Sequence, residues 1–145
     1  AWESPTWGGG IAFHDPDAEG SVLAHAYLVT AGQLSDVLAQ EMWREPGDDL
    51  DLTEVVRARR HVIGPGRYET LHLAGELDGR PVVTFSAADP ESLGLRAPAP
   101  PYVVTIARGL RQSHHLSCEE IVDYLLACRG VDLAWDRDSL AAAVG

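Results

Sequence analysis

One segment of the sequence predicts that this chain contains an antiparallel β-sheet. Residues 66–87 read GRYETLHLAGELDGRPVVTFSA, in which two runs rich in strand-forming residues flank Leu77-Asp78-Gly79-Arg80. Asp-Gly is a strong signal for the two-residue turn that joins neighbouring antiparallel strands. The sequence therefore predicts a β-hairpin that turns at Asp78 and Gly79.

A second segment predicts a helix with a defined start and end. Residues 30–47 read TAGQLSDVLAQEMWREPG. Thr30 is a good N-cap, and Gln33 three residues later completes a capping box. Pro46 and Gly47 are residues that end helices. We therefore expect a helix that begins after Thr30 and runs to Pro46.

One residue on the face of this predicted helix is out of keeping with its neighbours. Leu34, Val37, Leu38 and Glu41 recur at helical spacing and so share one face, of which three members are apolar and one is an acid. Glu41 could be a boundary residue that reaches solvent or pairs with Arg44. It could instead be held against an apolar wall, where burial raises the pKa of a carboxyl towards the range of a general acid/base. The pattern leaves both interpretations open.

The order of the remaining predicted elements indicates the fold class. A short strand at 11–13 and a strand-like run at 21–30 precede the helix, and an amphipathic helix is predicted at 102–116. Ser117 and Glu120 cap a further helix. Strands come first, one helix lies among them, and helices follow. We expect an α+β fold with an antiparallel or mixed sheet that curls into a small barrel.

Composition places the chain among ordinary globular proteins. Its 145 residues suffice for one domain, 1–145, and they carry a net charge of −11 with eleven arginines and no lysine. An acidic chain disfavours nucleic acid or an anionic membrane as partner. Cys118 and Cys128 would lie about 15 Å apart along one helix, too far for a disulfide. We therefore expect a cytoplasmic protein without a disulfide.

Common cofactor and nucleophile motifs are missing from the sequence. Six histidines occur without a zinc-ligand spacing, so no metal is expected. The glycines at 8–10 are not followed by the lysine of a phosphate loop. Cys118 at the first turn of a helix is interpreted as a small buried residue beside a cap. We expect no cofactor.

Three stretches together resemble a known family. TWGGGIA at 6–12, a turn at Gly20 and AYLVTAGQLSDVLAQE at 26–41 are similar to the gamma-glutamylcyclotransferase-like proteins, most of all to their actinobacterial branch. The hairpin, the PAPPY loop at 98–102 and the helices at 106–125 follow in the order of that family. The resemblance covers most of the chain.

The resemblance implies a fold, a reaction and site residues. The fold is a small mixed β-barrel with flanking helices. In the reaction, the α-amine of a γ-glutamyl group attacks its own γ-carbonyl, so that 5-oxoproline forms and an amine leaves, which is carbon–nitrogen lyase or acyltransferase chemistry. Glu41 matches the catalytic glutamate, and Trp7, Gly9 and Gly10 match a substrate-binding strand. Tyr102 follows the rigid PAPP segment, so it either binds substrate or packs the loop.

One departure from the family pattern concerns the N-terminus. Family members carry a Tyr-Gly-Ser segment whose backbone amides hold the glutamyl group, and this sequence, which begins at Ala1, has none. We expect that this segment and the first barrel strand are missing from the chain. Two alternatives stay open: an amide hydrolase of deacylase or deacetylase type, in which Glu41 activates water, and a non-catalytic binding module. The expected partner is a small γ-glutamyl molecule, and no oligomeric state is indicated.

Overall fold

The structure, a computed structural model, describes residues 3–145 and has an α+β fold. Within these residues it contains five α-helices and one three-stranded antiparallel sheet. The chain forms two compact units. The first comprises Ala1–Ala12 (described from residue 3), Ser21–His25 and Glu91–Gly145, and the second comprises Phe13–Gly20 and Ala26–Pro90.

The second unit contains the sheet. Its elements are α1 (Ala31–Glu41), α2 (Thr53–Ala58), β1 (Arg60–Val62), β2 (Thr70–Leu77) and β3 (Arg80–Ser86). The strands lie in the order β1-β2-β3 and form an open sheet. The predicted hairpin is confirmed: β2 and β3 pair from Thr70↔Ser86 to Leu77↔Arg80. Asp78 and Gly79 take φ values of 52° and 71°, both positive as a type I′ turn requires.

One face of this sheet packs on α1 and α2. Leu38 of α1, Val55 of α2 and Leu71 of β2 are its buried centre. Partly buried side chains complete this core: Leu50, Leu52, Ile63, Tyr68, Leu73, Val83 and Phe85. Because side chains alternate along a strand, Thr70 and His72 point to the opposite face of the sheet.

The first unit is built from helices. They are α3 (Pro100–His114), α4 (Cys118–Leu126) and α5 (Arg137–Val144), with 3-10 turns at Glu91–Leu93 and Val131–Leu133. Their buried core consists of Val103, Ala107, Leu110, Ile121, Val122, Leu125, Val131, Leu140 and Val144.

The helix starts of the first unit follow from its sequence. The capping box predicted at Ser117 and Glu120 is present at the start of α4. α3 begins two residues earlier than predicted, because proline fits the first turn of a helix, where no hydrogen bond is lost. Cys118 and Cys128 are free thiols, and Cys118 is exposed, so its interpretation as a buried residue is wrong.

Three predictions about the N-terminal half are wrong: two strands and the end of one helix. Residues 11–13 and 21–30 form no strand, and the whole of 21–30 is exposed. A strand needs a neighbour for its backbone hydrogen bonds, and the sheet formed by the described residues offers none to these segments. Helix α1 ends at Glu41 instead of at Pro46. Trp43 takes a φ of 56° and turns the chain, and the Arg44 amide donates back to the Ala39 carbonyl.

Candidate functional site

Trp7 and Tyr102, two residues predicted to bind substrate, lie against each other. Their ring centroids are 5.4 Å apart with an interplanar angle of 63°, an edge-to-face contact. They come from positions far apart in the chain. Ser4 and Gly9 are bridged as in a short antiparallel pair, so residues 4–9 form a tight loop that holds Trp7. Tyr102 stands in the first turn of α3.

The backbone around Gly9 and Gly10 is buried against the proline-rich segment. The Gly10 amide donates to the Ala97 carbonyl at 2.9 Å, and Gly10 bridges Pro98 in parallel. A Cβ on Gly9 would lie 2.8 Å from the backbone nitrogen of Ala99, and a Cβ on Gly10 would overlap the carbonyl of Arg96. The two glycines therefore permit a close approach of two backbones. They lie under protein in this unit and are not open to a ligand.

The phenol of Tyr102 is held in place by the backbone. Its hydroxyl accepts a hydrogen bond from the Ala12 amide at 3.0 Å. Burial raises the pKa of Tyr102 above its ordinary value, and the Ala12 bond opposes that rise. The hydroxyl is therefore neutral at physiological pH, and its proton remains available to donate a hydrogen bond.

Glu41 is exposed, which agrees with the interpretation as a boundary residue and contradicts the interpretation as an acid held against an apolar wall. It is the last residue of α1. The face of α1 that packs on the sheet carries Ser35 and Leu38, which are the buried residues of this helix. Val37, expected to line an apolar wall beside Glu41, is 46% exposed. The helix is thus rotated relative to the stripe that the sequence suggested.

Ser35 explains the rotation of α1. Its hydroxyl donates to the Ala31 carbonyl and accepts from the Leu50 amide, both at 2.8 Å. These bonds tie the loop after α1 to the helix and satisfy the hydroxyl, which makes its burial tolerable. A small polar residue therefore occupies the core face, and Glu41 lies away from it.

The buried acid of the second unit is Glu69, a residue that the sequence pattern did not single out. Its side chain is 5% exposed and forms an ion pair with Arg44, with Oε1 2.5 Å from Nη1. Its other carboxylate oxygen accepts from the Gly66 amide at 2.6 Å. Arg44 follows α1 and Glu69 precedes β2, so the pair links the end of the helix to the sheet.

The turn before Glu69 is shaped around its carboxylate. A Cβ on Gly64 would lie 2.5 Å from Glu69 Oε2, and a Cβ on Gly66 would lie 2.6 Å from the same atom. In the sequence, the glycines of GPGR at 64–67 indicate no more than a turn. Two glycines two residues apart, followed by an acid at the start of a strand, are the signal that could have pointed to Glu69.

Glu69 and Arg44 lie at a cleft of about 240 Å³ in the second unit. Its apolar wall comes from α1, the loop at Leu50 and the residue Ile63. Glu45 and Asp48 add two acids to its lining. Glu41 is not among the lining residues, although its neighbour Met42 is. The cleft can hold a small molecule against an apolar surface with one fixed ion pair.

The residues proposed as a site thus fall into two groups, one in each unit. Trp7, Gly9, Gly10 and Tyr102 belong to the first unit, and Glu41 belongs to the second. Among residues 3–145, no three histidine, cysteine or acidic side chains converge as metal ligands would. Over the same residues, no helix has the length and apolarity needed to cross a membrane.

Comparisons of the chain with protein-family models, with curated proteins and with solved structures gave no match.

Proposed function

We propose that this protein is a gamma-glutamylcyclotransferase-like enzyme. It would act on a small γ-glutamyl molecule without a cofactor, releasing 5-oxoproline and an amine. The motifs at 6–12 and 26–41 suggested this reaction. The finer fold of the family, a small mixed β-barrel with flanking helices, is part of the same proposal, as is a cytoplasmic location.

The observation that carries the proposal is the contact between Trp7 and Tyr102. The family resemblance indicates Trp7 as a substrate-binding residue. The rigid segment before Tyr102 indicates Tyr102 as a second one. Their rings are 5.4 Å apart. Two aromatic rings at this distance, one of them with a fixed hydroxyl, offer a surface on which the carbon chain of a glutamyl group would pack. Gly9 and Gly10 support this surface by letting the backbone beneath it pack closely.

Glu41 is proposed as the general acid/base on the basis of the family match. It would take a proton from the substrate ammonium and return a proton to the leaving nitrogen. The end of α1 leaves its carboxylate accessible, so a substrate can reach it.

A related hydrolase is the second candidate. The buried ion pair of Glu69 and Arg44 beside a cleft favours it, because a fixed carboxylate could orient water there. In that case the product would be free glutamate. A non-catalytic binding module would bind the γ-glutamyl molecule and release neither product.

The experiment that tests the proposal follows 5-oxoproline and glutamate by mass spectrometry during incubation with γ-glutamyl amines and γ-glutamyl amino acids. We expect 5-oxoproline, and we expect Glu41→Gln to lower its rate of formation by about 10²–10⁴-fold, the usual share of acid–base catalysis. Glu76→Gln is the matched control, because Glu76 is an exposed acid on β2 and has no proposed role. It should leave the rate unchanged.

The same assay shows which of the two glutamates, Glu41 or Glu69, is the catalytic one. If Glu69→Gln abolishes turnover in a folded protein while Glu41→Gln keeps it, the catalytic carboxylate is Glu69 and the role proposed for Glu41 is wrong. If no γ-glutamyl compound is turned over, the enzyme proposal as a whole is wrong. Circular dichroism of each variant shows whether its fold is retained.

A further inference from the structure

The sheet of the second unit has a polar face that the proposed function does not use. Thr70 and His72 flank the core residue Leu71 along β2 and so lie on the other side of the sheet. The strand partners of His72 are Arg60 on β1 and Thr84 on β3. All three strands thus bring polar or charged side chains to this face.

A short segment covers the polar face; we name residues 13–17 the strap. Ser86 at the end of β3 donates its hydroxyl hydrogen to the His14 carbonyl at 2.6 Å. Arg60 lies 3.6 Å from the carboxylate of Asp17. The strap is further held at its start, where the ring of Phe13 stacks on that of Tyr68 with centroids 5.4 Å apart.

His72 is buried beneath the strap with an unsatisfied nitrogen. The residue is only 4% exposed, and its Nε2 has no hydrogen-bond partner among the described residues. The ring of His14 lies edge-on at 6.1 Å. Thr70 Oγ1 on the same face is also buried without a partner in the described part of the chain. Neutral imidazole can remain in such a place at moderate cost, whereas a charged imidazolium without a partner cannot.

The charged groups around His72 shift its pKa in opposite directions. Burial lowers its pKa most, followed by the positive charges of Arg60 on β1 and His14 on the strap. Asp17 and Asp15 of the strap raise it, and by less. Thr84, which faces His72 from β3, does not titrate. The net effect holds the pKa of His72 below its ordinary value of 6.5.

We propose that His72 makes the strap a pH-sensitive cover: when His72 takes up a proton, residues 13–17 leave the polar face of the sheet. Departure of the strap lets water reach the imidazolium and moves His14 away from it. The Ser86 bond and the Arg60 pair are lost in the same step. The stacking of Phe13 on Tyr68 is lost as well. The buried core residues Leu38, Val55 and Leu71 remain in place, because they lie on the opposite face of the sheet.

The direction of the effect follows from proton linkage. His72 in the covered state binds its proton less readily than a histidine in water. The covered state is therefore most stable, relative to the uncovered state, above pH 6.5. Its relative stability falls as the pH falls below 6.5. Each pH unit of that fall lowers the ratio of covered to uncovered strap by up to about tenfold, until covered His72 itself becomes protonated.

NMR titration of the full chain between about pH 7.5 and 5, a range that spans the ordinary pKa of histidine, tests this proposal. The imidazole signals of His72 and the backbone amides of residues 13–17 should change together, with a midpoint below 6.5. In His72→Gln, which cannot take up a proton at residue 72, the nuclear Overhauser contacts between His14 and Ser86 should persist down to about pH 5, whereas the unaltered protein should lose them. His115→Gln is the matched control, because His115 is an exposed histidine at the end of α3, and its strap should respond as in the unaltered protein.

His14→Gln provides a second variant should His72→Gln fail to fold. This substitution removes one positive neighbour of His72, so the midpoint of the His72 transition should move upward towards pH 6.5. The proposal is overturned if His72 titrates while the strap amides stay still, or if the strap responds equally in His72→Gln. It is also overturned if the midpoint in His14→Gln stays the same, or if the sheet unfolds before the strap moves.

Discussion

Two glutamates in one unit show how a residue's surroundings decide its chemistry. Glu41 stands on a helical stripe that looks apolar in sequence, yet it is exposed because Ser35 and Leu38 take the core face. Glu69 stands before a strand and is buried, with two hydrogen-bond donors at its carboxylate. Glu41 is accessible to a substrate, and Glu69 is tied into the fold.

Replacement of Glu69 is predicted to destabilise the second unit. In Glu69→Gln, one carboxylate oxygen becomes an amide nitrogen, which cannot accept from either Arg44 or the Gly66 amide. A buried donor facing another donor costs about 1–3 kcal/mol. Urea denaturation should show a loss in this range in the free energy of unfolding.

Glu54→Gln is the matched control for that loss. Glu54 pairs with Arg57 one turn away on α2, at 2.7 Å, and the two side chains are 41% and 71% exposed, against 5% for Glu69. Exposed pairs contribute about 0–1 kcal/mol. Equal losses in the free energy of unfolding of Glu69→Gln and Glu54→Gln would show that the burial of Glu69 adds no stability.

At the scale of single elements, local signals in the sequence are sufficient to predict one helix start and one hairpin turn. Thr30 and Gln33 form the capping box of α1, because both hydrogen bonds lie within four residues. Asp78 and Gly79 form the hairpin turn, because its conformation depends on which residues tolerate positive φ. Both features can therefore be predicted without knowing which parts of the chain pack against them.

Features that depend on distant partners could not be predicted. The run 21–30 has strand-forming residues, but the described sheet gives it no partner. The core face of α1 depends on the bond from the Leu50 amide to Ser35, which comes from the following loop. The partners of Glu69 lie 25 residues upstream and in the preceding turn. The family resemblance and the rigid segment before Tyr102 point to Trp7 and Tyr102 separately, but nothing in the sequence predicts the contact between them.

A stabilising substitution is predicted within α3. Gly109 lies in the interior of this helix, is exposed, and has open space where a Cβ would be placed. Gly109→Ala should raise the free energy of unfolding by about 0.5–1 kcal/mol, because alanine loses less backbone entropy in a helix. Gly79→Ala, at a φ of 71°, should have the opposite sign. A loss of stability in Gly109→Ala would contradict the placement of this residue, and thermal denaturation measures both.

At the scale of the whole molecule, each of the two units has its own core. Helices α3, α4 and α5 enclose one, and the sheet with α1 and α2 encloses the other. The residues proposed to bind substrate lie in the first unit, and the proposed acid/base lies in the second. The net charge of −11 disfavours polyanionic partners, which agrees with a small-molecule substrate.

The proposed reaction, in which a γ-glutamyl amine attacks its own carbonyl, is tested most directly by isotope tracing. The protein is incubated with a γ-glutamyl amine in water enriched in heavy oxygen, and the products are weighed by mass spectrometry. Cyclisation leaves the original carbonyl oxygen in the lactam, so we predict 5-oxoproline without the heavy isotope. Glutamate that carries one heavy oxygen atom in its γ-carboxylate would contradict this reaction, because water would then be the nucleophile.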